Sequence, residues 1–282
     1  MNPSHSVVLG RLDTVPIGAQ DNVISSAISA VRPMSAVTLK TQIQAVIRDM
    51  GWHDGALYLL SRALEVISRH HFALRKYYFV SQPVGDDPLL PPRRGSQFRL
   101  QWIDQNHPLV AAFPRPPAVI QRRFAAGAKC LIAYKEEPAG LKFVGFIWLQ
   151  RGTYHEDEVR CYFTPVPERL TAWDFDVHVE NEFRGTLAFA RLWDEARRHL
   201  VSEGVRWSVS RISAFNPMSV AAHVRLGAFS VGCAYFLNWG KSQLMLNLGK
   251  PRIHFSRTDS SIPELRLVAD KSGIKPLSRF RN

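Results

Sequence analysis

The chain has 282 residues, 46% of them hydrophobic and 21% charged, as in a folded globular protein with one large domain or two small ones. Its 36 Lys and Arg against 24 Asp and Glu give a net charge of +12, which favours anionic partners: nucleotide-bearing cofactors, acidic carrier proteins, nucleic acid or anionic lipid. Because no run of 18 apolar residues occurs and the first 20 residues lack a signal-peptide pattern, we expect no membrane span and a cytoplasmic location.

Cysteine and acidic residues point to neither disulfides nor a metal. Cys130, Cys161 and Cys233 are odd in number and far apart, which excludes a disulfide framework and a Cys-x-x-Cys site, so we expect all three to be buried apolar residues. The acidic run from His155 to Glu158 lies between two predicted strands, where an exposed acidic turn is favoured over a metal site. No metal is therefore expected.

The first third of the chain reads as an accessory region. Residues 1–35 show no sustained periodicity and are predicted to be poorly ordered, and residues 36–95 are predicted to hold helices, one strand and a loop. The predicted elements are a helix over Thr38–Met50 ended by Gly51, a helix over Asp54–Ile67, a strand over Phe72–Val80 and a Pro- and Gly-rich loop to Ser96.

Residues 96–248 are predicted to form the main domain, and residues 249–282 a flexible basic tail. The first half of the main domain is predicted to begin with strand Phe98–Ile103 and short helices over Asn106–Ala112 and Pro117–Ala126, followed by strands Lys129–Tyr134 and Leu141–Gln150, the latter with a bulge at Gly145. Strands Val159–Thr164 and Ala172–Val179 come next, and then a helix ended by Gly204. Strand Val205–Ile212, a helix from Asn216 to Gly227 and two closing strands complete the domain. This order predicts a mixed α/β (α+β) fold with a mostly antiparallel central sheet flanked by helices and an N-terminal helical extension.

The strand Ala172–Val179 and the turn after it carry the first chemical signal. Side chains alternate in a strand, so Phe175, Val177 and Val179 should share one face and Asp174, Asp176 and His178 the other. These three polar residues are candidate catalytic bases. The turn Arg184-Gly185-Thr186 then opens a helix, and a helix N-terminus with free backbone N–H groups suits a phosphate. Taken alone, this one glycine favours an ordinary strand–helix junction over a phosphate site.

The second signal is the spacing of Asn216, Ser219, His223 and Gly227 along the later helix. Together with the Arg-Gly turn, this spacing resembles the GNAT acetyltransferase superfamily over about residues 96–248, best in the second half. The turn has Leu187 where that family has a second glycine, and His223 stands where it has a tyrosine.

The resemblance implies acetyl-coenzyme A (acetyl-CoA) as the co-substrate. The backbone N–H groups of the turn residues would hold its pyrophosphate, the backbones of Val177 and Val179 would pair with the pantetheine arm, and Asn216 and Ser219 would lie beside that arm. The turn residues in this role are Arg184, Gly185, Thr186, Leu187 and Ala188. His223 would protonate the departing thiolate or act as a base.

We therefore expect an acetyl-CoA-dependent N-acetyltransferase that transfers the acetyl group directly to an amine in a ternary complex. A small-molecule acceptor such as an amino sugar, amino acid or polyamine is preferred to a protein. Alternatives are a GNAT-fold protein that binds an acyl-CoA or a partner without turnover, and, less favoured, a nucleic-acid-binding protein that uses the basic tail. The N-terminal helices would build either the acceptor site or a homodimer contact.

Overall fold

Two β-sheets organise the computed structural model, which describes residues 36–69, 71–156, 158–258 and 260–270. The predicted poorly ordered segment 1–35 lies outside the described residues. The α-helices are α1 (Ala36–Ile67), α2 (Pro117–Ala125), α3 (Ala188–Ser202) and α4 (Pro217–Arg225), with short 3-10 helices at Pro108–Ala112, Glu168–Leu170 and Asn181–Phe183. The strands are β1 (Phe72–Pro83), β2 (Arg99–Ile103), β3 (Lys129–Glu137), β4 (Gly140–Gln150), β5 (Tyr154–His155), β6 (Tyr162–Val166), β7 (Thr171–Val179), β8 (Trp207–Ser213), β9 (Phe229–Trp239), β10 (Ser242–Asn247), β11 (Ile253–Ser256) and β12 (Glu264–Val268).

The large sheet has nine strands in the order β11-β10-β9-β1-β8-β7-β4-β3-β2, and the small sheet has the order β12-β6-β5. Within the large sheet only β7 and β8 pair in parallel. The predicted mixed, mostly antiparallel sheet with flanking helices and an N-terminal helical segment is confirmed.

Strand β1 corrects the predicted domain boundary at residue 96. It lies between β8 and β9 in the middle of the large sheet, so residues 72–83 belong to the main fold and not to an accessory region. Seven consecutive residues of β1, from Lys76 to Gln82, are buried, because both faces of this strand are covered. A strand that is buried on both faces shows no alternation of apolar and polar residues. The sequence of β1 therefore does not indicate its position in the sheet.

The C-terminal segment also corrects a prediction. Of the predicted flexible tail, β11 pairs with β10 and β12 pairs in parallel with β6, while residues 271–282 lie outside the described part. Leu265 and Leu267 of β12 are 1% and 5% exposed and join the main core. These residues are therefore built into the fold.

Helix α1 is broken where the sequence predicts two helices. Gly51 has φ 80° and ψ 168°, a non-helical conformation that glycine adopts without strain. After the break, the backbone at Gly55 lies against Ile47, because a Cβ atom added there would be 2.8 Å from the Ile47 Cδ1 atom. The two halves of α1 thus pack against each other.

Two cores cover the faces of the large sheet around β4, β7 and β8. On one face α3 packs through Leu192, Trp193 and Ala196 onto residues such as Ile147 and Ala172. On the other face, side chains of the small sheet, α2 and the 3-10 helix before it surround Trp148 and Trp173. Strand β7, which carries the predicted site, is therefore buried between two layers.

Candidate functional site

Strands β7 and β8 separate in the middle of the sheet. They pair in parallel only from Thr171 with Trp207 to Asp174 with Ser210, although β7 continues to Val179. Beyond this point β7 keeps its pairing with β4, and β8 keeps its pairing with β1. A wedge-shaped opening therefore begins at Asp174, and beyond it the edge of β7 that faces β8 has no partner strand in the part of the chain that the structure describes.

The opening leads into a small cavity of about 30 Å³. Its walls come from both separated strands and from the two helices that follow them in sequence, α3 and α4. The lining residues are Asp174, Phe175, Asp176, Val177, Phe189, Ser210, Arg211, Ser219, Ala222 and His223. The structure thus brings the predicted strand and the predicted Asn216–Gly227 helix to one place.

A bulge at Asp176 overturns the predicted alternation along β7. Asp176 has a positive φ of 55°, and the pairing with β4 shifts register between Phe146 and Trp148 at this point. As a result Asp176 lies beside Phe175 on the face of α2, while Val177 packs in the core on the α3 face. Asp174, Asp176 and His178 therefore do not share one face, as the sequence predicted.

Asp174 is the buried carboxyl at the start of the opening. It is 2% exposed and accepts hydrogen bonds from the hydroxyl groups of Ser208 and Ser210 on β8. Burial raises the pKa of Asp174, against the opposing influence of His223 and the two hydroxyl groups. Asp174 is thus a carboxyl group that holds a proton more readily than an ordinary aspartic acid.

His223 shares the cavity with Asp174 and is 6% exposed. Its Nδ1 atom lies 2.8 Å from the carbonyl oxygen of Ser219. Because a carbonyl only accepts, Nδ1 carries the proton. The other ring nitrogen, Nε2, is buried and has no hydrogen-bond partner among the described residues. It can accept a proton as the neutral ring or donate one as the imidazolium.

Asp176 is held in ion pairs. Its carboxylate accepts a hydrogen bond of 2.7 Å from Arg115 Nε and a further bond from Arg123. Burial alone would raise the pKa of Asp176, yet the two guanidinium groups hold it below the ordinary value. A carboxylate paired twice is a poor proton acceptor, so Asp176 is a structural anchor of α2 and the loop before it.

His178 lies on the same face as Asp176, away from His223. Its Nε2 is 3.1 Å from Glu180 Oε1, and its ring is parallel to that of Phe143. Burial lowers the pKa of His178 despite the carboxylate of Glu180, so the neutral ring is favoured. Its Nδ1 is buried and has no hydrogen-bond partner in the described part of the chain.

The turn before α3 leaves two of the five predicted N–H groups without acceptors. Gly185 has φ 73°, a left-handed conformation that favours glycine. The N–H groups of Arg184 and Thr186 bond to carbonyl groups of the preceding 3-10 helix, and that of Ala188 bonds to the Thr186 hydroxyl group. Those of Gly185 and Leu187 have no acceptor among the described residues.

The remaining predicted residues have local structural roles. The Asn216 side chain accepts a hydrogen bond of 3.0 Å from Ser219 N–H and caps α4, which confirms the predicted helix start. Val179 pairs with Gly145 of β4, and its carbonyl accepts a bond of 3.2 Å from Arg184 Nε. The arginine of the turn therefore ties the turn to the end of β7.

Sequence reasoning missed the partners of these residues. Ser208 and Ser210 alternate along a buried strand, a polar pattern on an inward face that could have been read as a sign of a buried acceptor. Glu156 was expected in an exposed turn but is 4% exposed and pairs with Arg211 at 2.9 Å, while Asp157 lies outside the described residues. Arg115 is 61 residues from Asp176 in sequence, too far for any local signal.

Comparison with known proteins gives solved structures of low similarity. A scan against protein-family models finds no match, and a search of curated proteins finds none either. A functionally unknown conserved protein from Staphylococcus epidermidis is 16% identical with a TM-score of 0.40, covering 62% of this chain and 66% of its own. A GCN5-related glucosamine N-acetyltransferase region of a fungal multi-domain β-N-acetylglucosaminidase is 14% identical with a TM-score of 0.40, covering 60% and 21%.

A GCN5-related N-acetyltransferase from Sphaerobacter thermophilus is 17% identical with a TM-score of 0.35, covering 62% of this chain and 54% of its own. The chain thus spans less than two thirds of each of these three proteins. At such TM-scores the likenesses carry no argument about activity, which has to come from the residues of the opening.

Three further features concern the described residues only. No helix among them is both long and apolar enough to cross a membrane. No group of three or more His, Cys, Asp or Glu side chains among them is arranged to hold a metal ion. All three cysteines are buried and free, as predicted.

Proposed function

We propose that this protein is an acyl-CoA-dependent N-acyltransferase of GNAT type, with acetyl-CoA as its co-substrate. The observation that carries the proposal is the separation of β7 from β8 at Asp174, where Asp174 and His223 face one cavity. An unpaired strand edge can bond to an amide-bearing arm as another strand would. Transfer of an acyl group from a thiol to an amine needs a proton acceptor for the amine and a proton donor for the thiolate. Asp174 and His223 at the start of the opening can supply both.

The cofactor would lie along the free edge of β7. Its pyrophosphate would accept hydrogen bonds from Gly185 and Leu187 N–H at the positive end of the α3 dipole. From there the pantetheine arm would follow Val179 and Val177 towards Asp174, with the thioester beside His223. The amide groups of the arm are the chemical match for the unpaired backbone groups of this edge.

The reaction would move one proton from nitrogen to sulfur. The amine nitrogen attacks the thioester carbonyl carbon, the C–N bond forms, and the C–S bond breaks to release the thiolate of coenzyme A. Asp174 would accept the proton lost by the amine, and His223 Nε2, as the imidazolium, would donate a proton to the thiolate. Transfer of the proton from Asp174 to His223 would then restore both groups.

The acceptor is proposed to be a small-molecule amine: an amino sugar, an amino acid or a polyamine. The residues of the opening do not distinguish between these amines, because a carboxylate base can accept a proton from each of them. A protein amine stays as a less favoured acceptor, and nucleic acid remains outside the proposal. A panel of such amines, with thiol release from acetyl-CoA as the readout, would identify the class.

Replacement of His223 tests the proton donor. His223→Phe is expected to lower turnover at least tenfold and leave coenzyme A affinity nearly unchanged, because the proposed arrangement places its ring beside the thioester, while the pyrophosphate is held by the Gly185 and Leu187 N–H groups. The matched control is His199→Phe on the last turn of α3, far from the opening. Equal rates in His223→Phe and the parent would remove His223 from the mechanism.

Replacement of Gly185 tests the phosphate site. Gly185→Val is expected to weaken coenzyme A binding, measured by calorimetry, because a β-branched residue resists the positive φ and its side chain blocks close approach. The control is Gly204→Val, whose φ of 72° imposes the same strain after the end of α3. If both variants bound coenzyme A as tightly as the parent, the phosphate site would be elsewhere.

A binding protein without turnover is the second candidate, and one observation favours it. Phe189, a large aromatic residue on the first turn of α3, is among the residues that line the cavity and narrows the place where an acyl group would have to lie. Binding of acetyl-CoA with no thiol release across the whole amine panel would favour this candidate over the enzyme. Release with any amine would reject it.

A further inference from the structure

The second half of α1 has an outer stripe that is apolar throughout. Trp52, Leu60 and Ile67 are 72%, 49% and 81% exposed, and the exposed residues Ala56 and Ala63 lie between them. The spacing of 4, 4, 3 and 4 residues keeps all five on one side of the helix, as in the contact stripe of a helix pair. Val66, 63% exposed, borders it.

The opposite side of the same helix is already used by the fold. Asp54 pairs with the buried Lys76 of β1 at 2.6 Å, and the Ser61 hydroxyl group donates to the carbonyl of Leu74 at 2.9 Å. Tyr58 packs edge-on against Phe215. These contacts fix the rotation of the helix on the sheet, so the apolar stripe faces away from the core.

An exposed apolar stripe of this length marks a surface that binds another protein surface. Its residues are self-complementary in one arrangement. When two copies of the helix lie antiparallel about a two-fold axis beside Leu60, between positions 59 and 60, Trp52 of one copy meets Ile67 of the other, and Ala56 meets Ala63. Small residues then face small ones and allow close approach, and Leu60 meets its own copy.

We propose that the chain forms a homodimer through an antiparallel pair of these helix segments, 52–67. Trp52 alone can lose roughly 110–180 Å² of accessible surface, given its exposure and the 150–250 Å² that an aromatic side chain buries. With the other stripe residues of both copies, the buried total is on the order of 1,000 Å², near the lower limit for a specific interface. The dimer should therefore be weak. It does not depend on the proposed acyltransferase activity.

Single cysteine substitutions in the full-length protein test the two-fold axis. Leu60→Cys should give a covalent dimer under mild oxidation, because each residue 60 meets its own copy. Ala56→Cys and Ala63→Cys should each cross-link poorly alone and well when mixed, because residue 56 meets residue 63. The three native cysteines are buried and add little background.

Sedimentation at increasing protein concentration provides the second measurement. Leu60→Glu should raise the dissociation constant of the dimer at least tenfold, whereas Leu248→Glu, at a residue 78% exposed outside the stripe, should not change it. A parent protein that stays monomeric at all concentrations, with no cross-link at position 60, would overturn the proposal. So would cross-linking of Ala56→Cys and Ala63→Cys alone with no gain on mixing, which indicates parallel helices.

Discussion

Gly145 lies where β4 approaches β7 beside the opening, and we predict that Gly145→Ala destabilises the protein. A Cβ atom added there would be 2.3 Å from the carbonyl oxygen of His178 and 3.1 Å from the Cα atom of Val179. Both neighbours are backbone atoms, which cannot rotate away as a side chain can. To reach 3.0 Å, the two strands would have to move apart by about 0.7 Å.

The expected loss of stability follows from two opposing effects. An alanine at a strand position without positive φ usually stabilises by about 0.4–1 kcal/mol, because it restricts the unfolded chain. Overpacking costs about 1–3 kcal/mol and more where backbone must move, so we expect a net loss of about 2 kcal/mol. Urea unfolding measures it, with Gly232→Ala as the control, since its Cβ would lie 3.7 Å from Phe79 in ordinary contact. Equal stability of Gly145→Ala and the parent would refute the reasoning.

Three further predictions concern the two faces of β7. Asp176→Asn should destabilise by about 3–5 kcal/mol in urea unfolding, because Arg115 and Arg123 lose their shared counter-ion in a buried place. Asp174→Asn should have a higher midpoint temperature of thermal unfolding than the parent at pH 7, because burial raises the Asp174 pKa and folding of the parent must either bury the charged carboxylate or take up a proton. This advantage should disappear as the pH falls below 3.8, where the parent carboxyl is protonated in both states. The neutral ring of His178 is favoured in the folded state, which lowers the pKa of His178, so this residue contributes stability above pH 6.5 and loses that contribution as the pH falls through its folded-state pKa. In thermal unfolding, the difference in stability between the parent and His178→Asn should therefore become smaller over that pH range.

Features set by neighbouring residues could be predicted from the sequence. The break at Gly51, the hairpin of β3 and β4, and the cap of α4 at Asn216 are all present where the local pattern indicates them. Each depends on one glycine, one turn or one side-chain hydrogen bond within a few residues. The irregular pairing of β3 with β4, between Ala133 and Tyr134, also lies near the glycine that marked a bulge.

Features set by distant residues could not be predicted in the same way. Strand β1 joins the sheet between two strands that follow it by more than 120 residues, and no local pattern specifies such a pairing. Strand β12 did carry a signal, since Leu265 and Leu267 alternate with Glu264 and Arg266. The basic composition of the whole segment predicts a flexible tail and hides this short strand pattern.

The bulge at Asp176 places Asp174 and Asp176 on opposite faces of the sheet. Regular alternation of side chains along β7 would place them on the same face. In a regular strand, Asp174 and Asp176 would point into the same space, and two buried carboxylates would repel each other. The positive φ of Asp176 costs about 1–3 kcal/mol, and the ion pairs with Arg115 and Arg123 offset it. Strain of this kind is typical of functional sites. Under the proposed function the bulge gives the two aspartates different roles. The Asp176 carboxylate is neutralised by arginines on the α2 face, and Asp174 is the carboxyl group that shares a proton with His223.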